Sequence, residues 1–219
     1  MTTVGFIGSG MIGGTVAGLA VAAGHHVVLS NSRGPQTLTD LASQLGPLAR
    51  AGTTAEAAAT DLVVVSIPLK AYGDVPAGPL AGKTIADTGN YYPERDGQIL
   101  GLDSGQLTSS EVLQRQLPGA AVVKVFNNIY FEHLRSLARP SGAADRTYLP
   151  IAGDDPAAKA AVTAFLDSIG YGVVDAGPLA EGRRYEPGTP AYSAPYGPFT
   201  DKTGTPAGDA AIRAALAAA

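Results

Sequence analysis

The sequence predicts a doubly wound α/β fold: a mostly parallel sheet with helices on both faces, and a small irregular and helical C-terminal segment. Three observations predict it. The chain opens on a short apolar run, a glycine turn and an Ala-rich helical stretch, Val4 to Ala23. Short apolar runs then recur and alternate with stretches of helical spacing, the pattern of a sheet built from crossover units. One of them, Leu62-Val63-Val64-Val65-Ser66-Ile67, is apolar almost throughout, as a strand buried on both faces must be.

The first unit carries the most chemistry. Gly8-Ser9-Gly10-Met11-Ile12-Gly13 reads G-x-G-x-x-G between a strand, Val4–Ile7, and a helix from about Met11 to Ala23 that stops at Gly24. Gly8 permits the sharp exit from the strand. Gly10 lets a diphosphate approach the backbone, and Gly13 lets the helix pack on the strand. The helix N-terminus offers free N–H groups to that diphosphate. This is the fingerprint of a Rossmann dinucleotide site; the alternative is a structural glycine turn.

The second strand, His26–Ser30, ends in Asn31-Ser32-Arg33. A site for NAD normally has a carboxylate there to accept from the ribose hydroxyls. Here Asn31 and Ser32 can donate, and Arg33 can fork onto a 2′-phosphate or stack on adenine, so NADP is expected. The alternative is that Arg33 is a solvated loop residue.

Pro35–Leu45 has helical spacing and closes at Gly46-Pro47. A strand is expected near Leu48–Ala51 and a small helix near Ala55–Ala59. The Leu62–Ile67 strand stops at Pro68. Ser66, Ile67 and Pro68 thus stand at the carboxyl end of a central strand, where ligands of such sheets lie. Ile67 or Leu69 could press on the nicotinamide; the alternative is a plain strand stop. Thr84–Asp87 is the next strand, followed by Thr88-Gly89-Asn90-Tyr91-Tyr92-Pro93, which either faces a ligand through Asn90 or is a surface turn.

A helix is expected from Ser109 to Leu117, then a strand Ala121–Phe126, the turn Asn127-Asn128-Ile129-Tyr130, and a helix through His133 to Leu137. Tyr148–Ala152 reads as a strand, Ala157–Ile169 as a helix capped by Asp154-Asp155-Pro156, and Val173–Asp175 as a last strand. Residues 1–178 form the expected nucleotide-binding domain. Residues 179–219 form a C-terminal segment, a Pro-, Gly- and Tyr-rich loop closed by an Ala-rich helix from Gly208. Long irregular stretches of this kind tend to be functional or flexible.

Composition narrows the function. The 219 residues include no cysteine, which excludes disulfides, thiol nucleophiles and thiolate-held zinc or iron–sulfur clusters. The net charge of −4 and the acidic pI of about 5.3 argue against a nucleic-acid partner. The three histidines lack metal-site spacing, so no metal is expected. With no signal-like leader and no apolar run of spanning length, the expected setting is soluble and cytoplasmic, away from membranes.

Taken together, G-F-I-G-S-G-M-I-G-G, S-N-S-R, V-V-V-S-I-P, K-V-F-N-N-I, I-A-G-D-D and D-A-G-P-L resemble the coenzyme F420-dependent NADP oxidoreductases over about residues 3–180. The resemblance implies an NADP-binding Rossmann domain, often dimeric, that passes a hydride between the nicotinamide and C5 of the F420 deazaflavin. It matches Ser9 to Ile12 with the diphosphate loop and Ser32 and Arg33 with the 2′-phosphate clamp. It matches Ser66 to Pro68 with the loop beside the nicotinamide ribose, and Asn128 and Ile129 with the place where the two rings meet. The chain departs from the family in Asn127-Asn128-Ile129, where a hydroxyl is usual. It departs again after Leu179, where Gly182, Pro187, Gly188, Pro190 and Pro195 replace an apolar helix.

Hydride transfer between rings needs positioning and exclusion of water more than acid–base groups. Candidates around the reacting atoms are Asn128, Ile129, Tyr130 and His133, with Tyr92 a further proton donor were the acceptor a carbonyl or imine. Arg139, Arg183, Arg184 and Lys124 are candidate cations for an anionic F420 tail. Two other readings stay open: an NADPH-dependent reductase of a small carbonyl, imine or flavin, and a non-catalytic NADP sensor.

Overall fold

The computed structural model describes all 219 residues. The first crossover unit is β1 (Thr3–Ile7), α1 (Met11–Ala22) and β2 (His26–Ser30), and it follows from the residues nearly as expected. The Pro35–Leu45 stretch is divided: a 3₁₀ turn over Pro35–Leu38 precedes α2 (Thr39–Leu45). Pro35 and a positive φ at Gly34 favour that tight entry. Next come β3 (Ala49–Ala51), α3 (Thr54–Ala58) and β4 (Leu62–Val65). Thr53 and Glu56 close a reciprocal capping box at the start of α3.

A 3₁₀ helix (Leu69–Asp74) and α4 (Ala77–Leu80) lead to β5 (Thr84–Asp87). Two single-turn helices, α5 (Pro93–Asp96) and α6 (Leu100–Asp103), precede α7 (Ser109–Gln116), capped by Thr108 with Glu111. Then follow β6 (Ala121–Lys124), α8 (Phe131–Ser136), β7 (Tyr148–Gly153), α9 (Pro156–Ser168), β8 (Gly172–Gly177) and the terminal α10 (Asp209–Ala217).

β4 and β6 each end two residues sooner than their apolar runs. After β6 the chain must turn over the sheet edge, and Phe126 does so at a φ of 65°, a conformation costly for a bulky residue.

The eight strands lie in the order β3-β2-β1-β4-β5-β6-β7-β8. All neighbours are parallel except β6 and β7, which pair antiparallel. The sheet is therefore of Rossmann type with a reversed pair at one edge. Two apolar layers flank it. One contains Phe6, Val64, Val123 and Leu134 and extends to Tyr185, Ala191 and Tyr196 of the segment after β8. The other contains Val63, Val65, Ile85, Leu80 and Leu113. Alternate residues of β4 thus face opposite layers, which is why that run is apolar throughout.

Residues 179–219 are held down by specific bonds. Tyr185 Oη donates to Lys124 O at 3.0 Å, and Tyr196 Oη to Tyr148 O at 3.0 Å. Both tyrosines are fully buried. No helix is long and apolar enough to cross a membrane.

Candidate functional site: a crevice at the carboxyl ends of β1, β2 and β4

The glycine turn sits between β1 and β4. Gly8 has a φ of 98° and donates to Ser30 O at 3.0 Å. A Cβ on Gly8 would collide with Ser66 O, and one on Gly13 would collide with Gly8 O. At Gly10 an added Cβ would meet nothing within 4 Å. Gly8 and Gly13 therefore hold the loop against its neighbours, whereas Gly10 faces open space. No side chain caps the first turn of α1, whose N-cap is Gly10. Those N–H groups and the partial positive charge behind them suit a diphosphate.

The crevice this loop opens into has a volume of about 360 Å³, within the range of small-ligand sites. Gly8, Ser9 and Gly10 of the loop line it, together with Ser32 and Arg33 from the end of β2. Ser66, Ile67 and Pro68 come in from the end of β4. The arrangement fits NADP: an open glycine, an uncapped helix start and a tip with a cation and no carboxylate. Asn31 also lines the crevice, but its side chain is occupied in the turn. Its Oδ1 accepts from Arg33 N at 3.0 Å and its Nδ2 donates to Thr37 Oγ1 at 2.9 Å. It shapes the tip and leaves Ser32 and Arg33 as the free donors. Thr54, Ala71, Asp74 and Val75 also line the crevice and do not stand out in the sequence. The start of α3 brings in Thr54, and the 3₁₀ helix after β4 brings in the other three.

The other candidates lie elsewhere. Ile12 packs against the core beside the loop, and Met11 is exposed. Of Ile67 and Leu69, the two alternatives for a contact with the nicotinamide, Ile67 lines the crevice, whereas Leu69 is buried in the second apolar layer, because the 3₁₀ turn rotates it inward. Asn90 Nδ2 donates to Asn127 O at 2.8 Å, joining the turns after β5 and β6. Asn128 is buried; its Nδ2 donates to Ala191 O at 2.9 Å, and Ser193 N donates to Asn128 O at 2.9 Å. Ile129 is buried too, and His133 is fully enclosed with Nε2 against Asp201 O. Tyr130 alone of the four keeps an accessible side chain, packed edge-on against Phe131 and His133 and beside Phe199.

Lys124 departs most from expectation. It is fully buried, donates to Gly89 O at 2.9 Å and to Ser109 Oγ at 2.6 Å, and pairs with Glu186. It is not free to hold an anionic tail. Asp87, one strand over, is also fully buried and accepts from Tyr72 Oη at 2.8 Å and Ser110 Oγ at 2.6 Å. Burial, and then the Asp87 charge, push the Tyr72 hydroxyl far up, so it remains a donor. Of the other cations, Arg139 pairs with Asp145, Arg184 with Glu181, and Arg183 bonds the carbonyls of Ala180 and Gly105.

Residues 3–91, from β1 to the turn after β5, match the family described as NADP oxidoreductase, coenzyme F420-dependent. A hypothetical protein from Sinorhizobium meliloti is 29% identical, with a TM-score of 0.76 over 89% of this chain and 94% of its own. A proposed F420-dependent NADP-reductase from Arthrobacter sp. FB24 is 27% identical, with a TM-score of 0.70 over 84% of this chain and 88% of its own. An imine reductase from Pseudomonas sp. shares the fold at 19% identity, with a TM-score of 0.57 over 82% of this chain and 56% of its own. No curated protein matches the sequence. With its glycine loop, its Arg33-tipped crevice and this match over residues 3–91, the chain resembles the coenzyme F420-dependent NADP oxidoreductases, and it is an NADP-dependent oxidoreductase.

Proposed function

We propose that the protein transfers a hydride between NADP(H) and coenzyme F420. The observation that carries this reading is the family match over residues 3–91, which include every residue lining the crevice. The diphosphate rests on the N–H groups of Gly10 to Ile12, and the 2′-phosphate on Ser32 and Arg33. Ser66 to Pro68 fix the nicotinamide ribose. NADPH supplies the hydride and water a proton, so NADPH, H⁺ and oxidised F420 give NADP⁺ and the reduced deazaflavin.

A neighbouring hollow supports a flat, anionic second substrate. It has a volume of about 610 Å³, shares Ser9 and Gly10 with the crevice, and runs to Phe131 and Arg135. An aromatic ring and a cation are the groups such a substrate needs; Arg135 is exposed but also pairs with Glu132 at 3.5 Å, which the substrate's anion would have to share. We also propose a homodimer, as the resemblance suggests, and a cytoplasmic setting.

The test is direct: mix protein, NADPH and F420 and follow the deazaflavin absorbance. Bleaching that needs all three components supports the reading. NADPH binding without bleaching, in either direction of the reaction, removes F420 as the substrate.

A second reading rests on one contact. Tyr92 Oη and Tyr192 Oη lie 2.6 Å apart, with the Arg95 guanidinium 4.9 Å above the Tyr92 ring. A phenol pair of this kind could protonate a small carbonyl or imine. Turnover of such substrates that falls in Tyr92→Phe would favour it over F420.

A further inference from the structure

A carboxylate in a phosphate-binding crevice needs a reason. Asp74 lines the same crevice as Arg33 and the glycine loop. It ends the 3₁₀ helix after β4, where a negative charge gains nothing from the helix dipole. Its carboxylate makes no hydrogen bond or ion pair within the chain, and Arg33, whose backbone N and O are the bonded atoms, leaves its guanidinium unpaired. Two opposite charges thus share one crevice without meeting. Next to either phosphate of the cofactor, a carboxylate would be repelled. Its place is therefore set by elimination. The diphosphate takes the glycine loop and the 2′-phosphate takes Ser32 and Arg33, which leaves the lining at Thr54, Ala71, Asp74 and Val75 for the base.

That lining has an apolar part, half-buried Ala71 with Val75 buried in the second apolar layer behind the surface, against which a purine can lie. Asp74 stands beside them. The donor on the adenine edge is its exocyclic amine, and a carboxylate accepting from it makes a charge-assisted bond. We propose that Asp74 reads the exocyclic amine of the cofactor's adenine, making the crevice specific for adenine dinucleotides at the base as well as at the ribose. The inference rests on the NADP reading of the crevice but invokes a different part of the cofactor.

Four ligands test it: NADPH, NADH, and the two hypoxanthine counterparts, in which oxygen replaces the amine. Each is titrated against the full chain, wild type and variant, with nicotinamide fluorescence as the readout. Asp74 is exposed and unpaired, so its substitution leaves the fold alone. Wild type is expected to hold the adenine forms about 10- to 100-fold tighter, the range of one charge-assisted bond. Asp74→Ala should abolish that preference by weakening the adenine forms only. Asp74→Asn should keep adenine, through its amide oxygen, and improve hypoxanthine, through its amide N–H. Equal loss on both bases, or no loss on either, overturns the proposal. If NADH binds as well as NADPH, the 2′-phosphate assignment fails. The adenine-to-hypoxanthine ratio then still judges Asp74.

Discussion

Lys124 Nζ lies 3.1 Å from Glu186 Oε1, so the last residue of β6 is tied to the irregular segment after β8. The pair is placed where a ligand-facing charge was expected, and it serves instead to fasten residues 179–219 across the carboxyl ends of β5 and β6. Ser109 donates to the same carboxylate at 2.6 Å and Gly89 O accepts from the ammonium, so the buried charges are well satisfied.

Removing one partner should be costly. The Lys124 side chain is 0% exposed and that of Glu186 21%. Glu186→Ala strands a buried ammonium and should lose about 3–5 kcal/mol of stability. Lys124→Met with Glu186→Gln should recover most of it, because neither charge then needs a counter-ion. Urea unfolding of the three proteins checks this; a single variant as stable as wild type would show the pair to be idle.

The same pair predicts an acid response. Burial pushes the Glu186 carboxyl up, but the Lys124 charge and the Ser109 hydrogen bonds outweigh it and hold the group below its ordinary range. A carboxylate depressed in the folded state stabilises above its unfolded pKa, and that stability is lost as pH falls through the folded value. The gap in melting temperature between wild type and Glu186→Gln should therefore be full near neutrality and shrink below about pH 4. A gap that is constant with pH contradicts the assignment.

The three glycines of the turn should separate. Gly13→Ala forces a methyl onto Gly8 O and should lose about 1–3 kcal/mol, as overpacking does. Gly10→Ala meets no neighbour, so its melting temperature should be unchanged. It should still lose NADPH binding, because the methyl occupies the approach of the diphosphate. Thermal melts and titrations on the two variants make the comparison.

Arg33→Ala should weaken NADPH by about 1.5–3 kcal/mol, the value of a hydrogen bond to a charged group, and leave NADH nearly unchanged. Arg33 is exposed and its guanidinium has no partner in the chain, so the fold gives no competing reason for a loss. Calorimetry with both cofactors decides; equal effects would place the 2′-phosphate elsewhere.

What could be read without the structure was local along the chain. The Gly8–Gly13 turn, the Ser32-Arg33 tip and the β4 end at Ser66 to Pro68 each follow a strand directly, and strand ends of a parallel sheet share one edge. Asp74 and Thr54 escaped notice because nothing in their own neighbourhood marks them. They become crevice walls only where β2, β3 and β4 align. Asn128, Ile129 and His133 looked accessible because they follow the sheet edge. Ala191, Ser193 and Asp201 cover them from far along the chain.

The sequence by itself determined the βαβ unit, its open glycine and its cationic tip, because backbone freedom and charge at those positions are properties of the residues present. Only the tertiary structure decided which groups stay free to meet a ligand. Lys124 is fully buried against Glu186, while Arg33 and Asp74 face the same crevice unpaired. The physical reason is that burial and pairing depend on which distant segment packs over a side chain, and local residue order does not specify that.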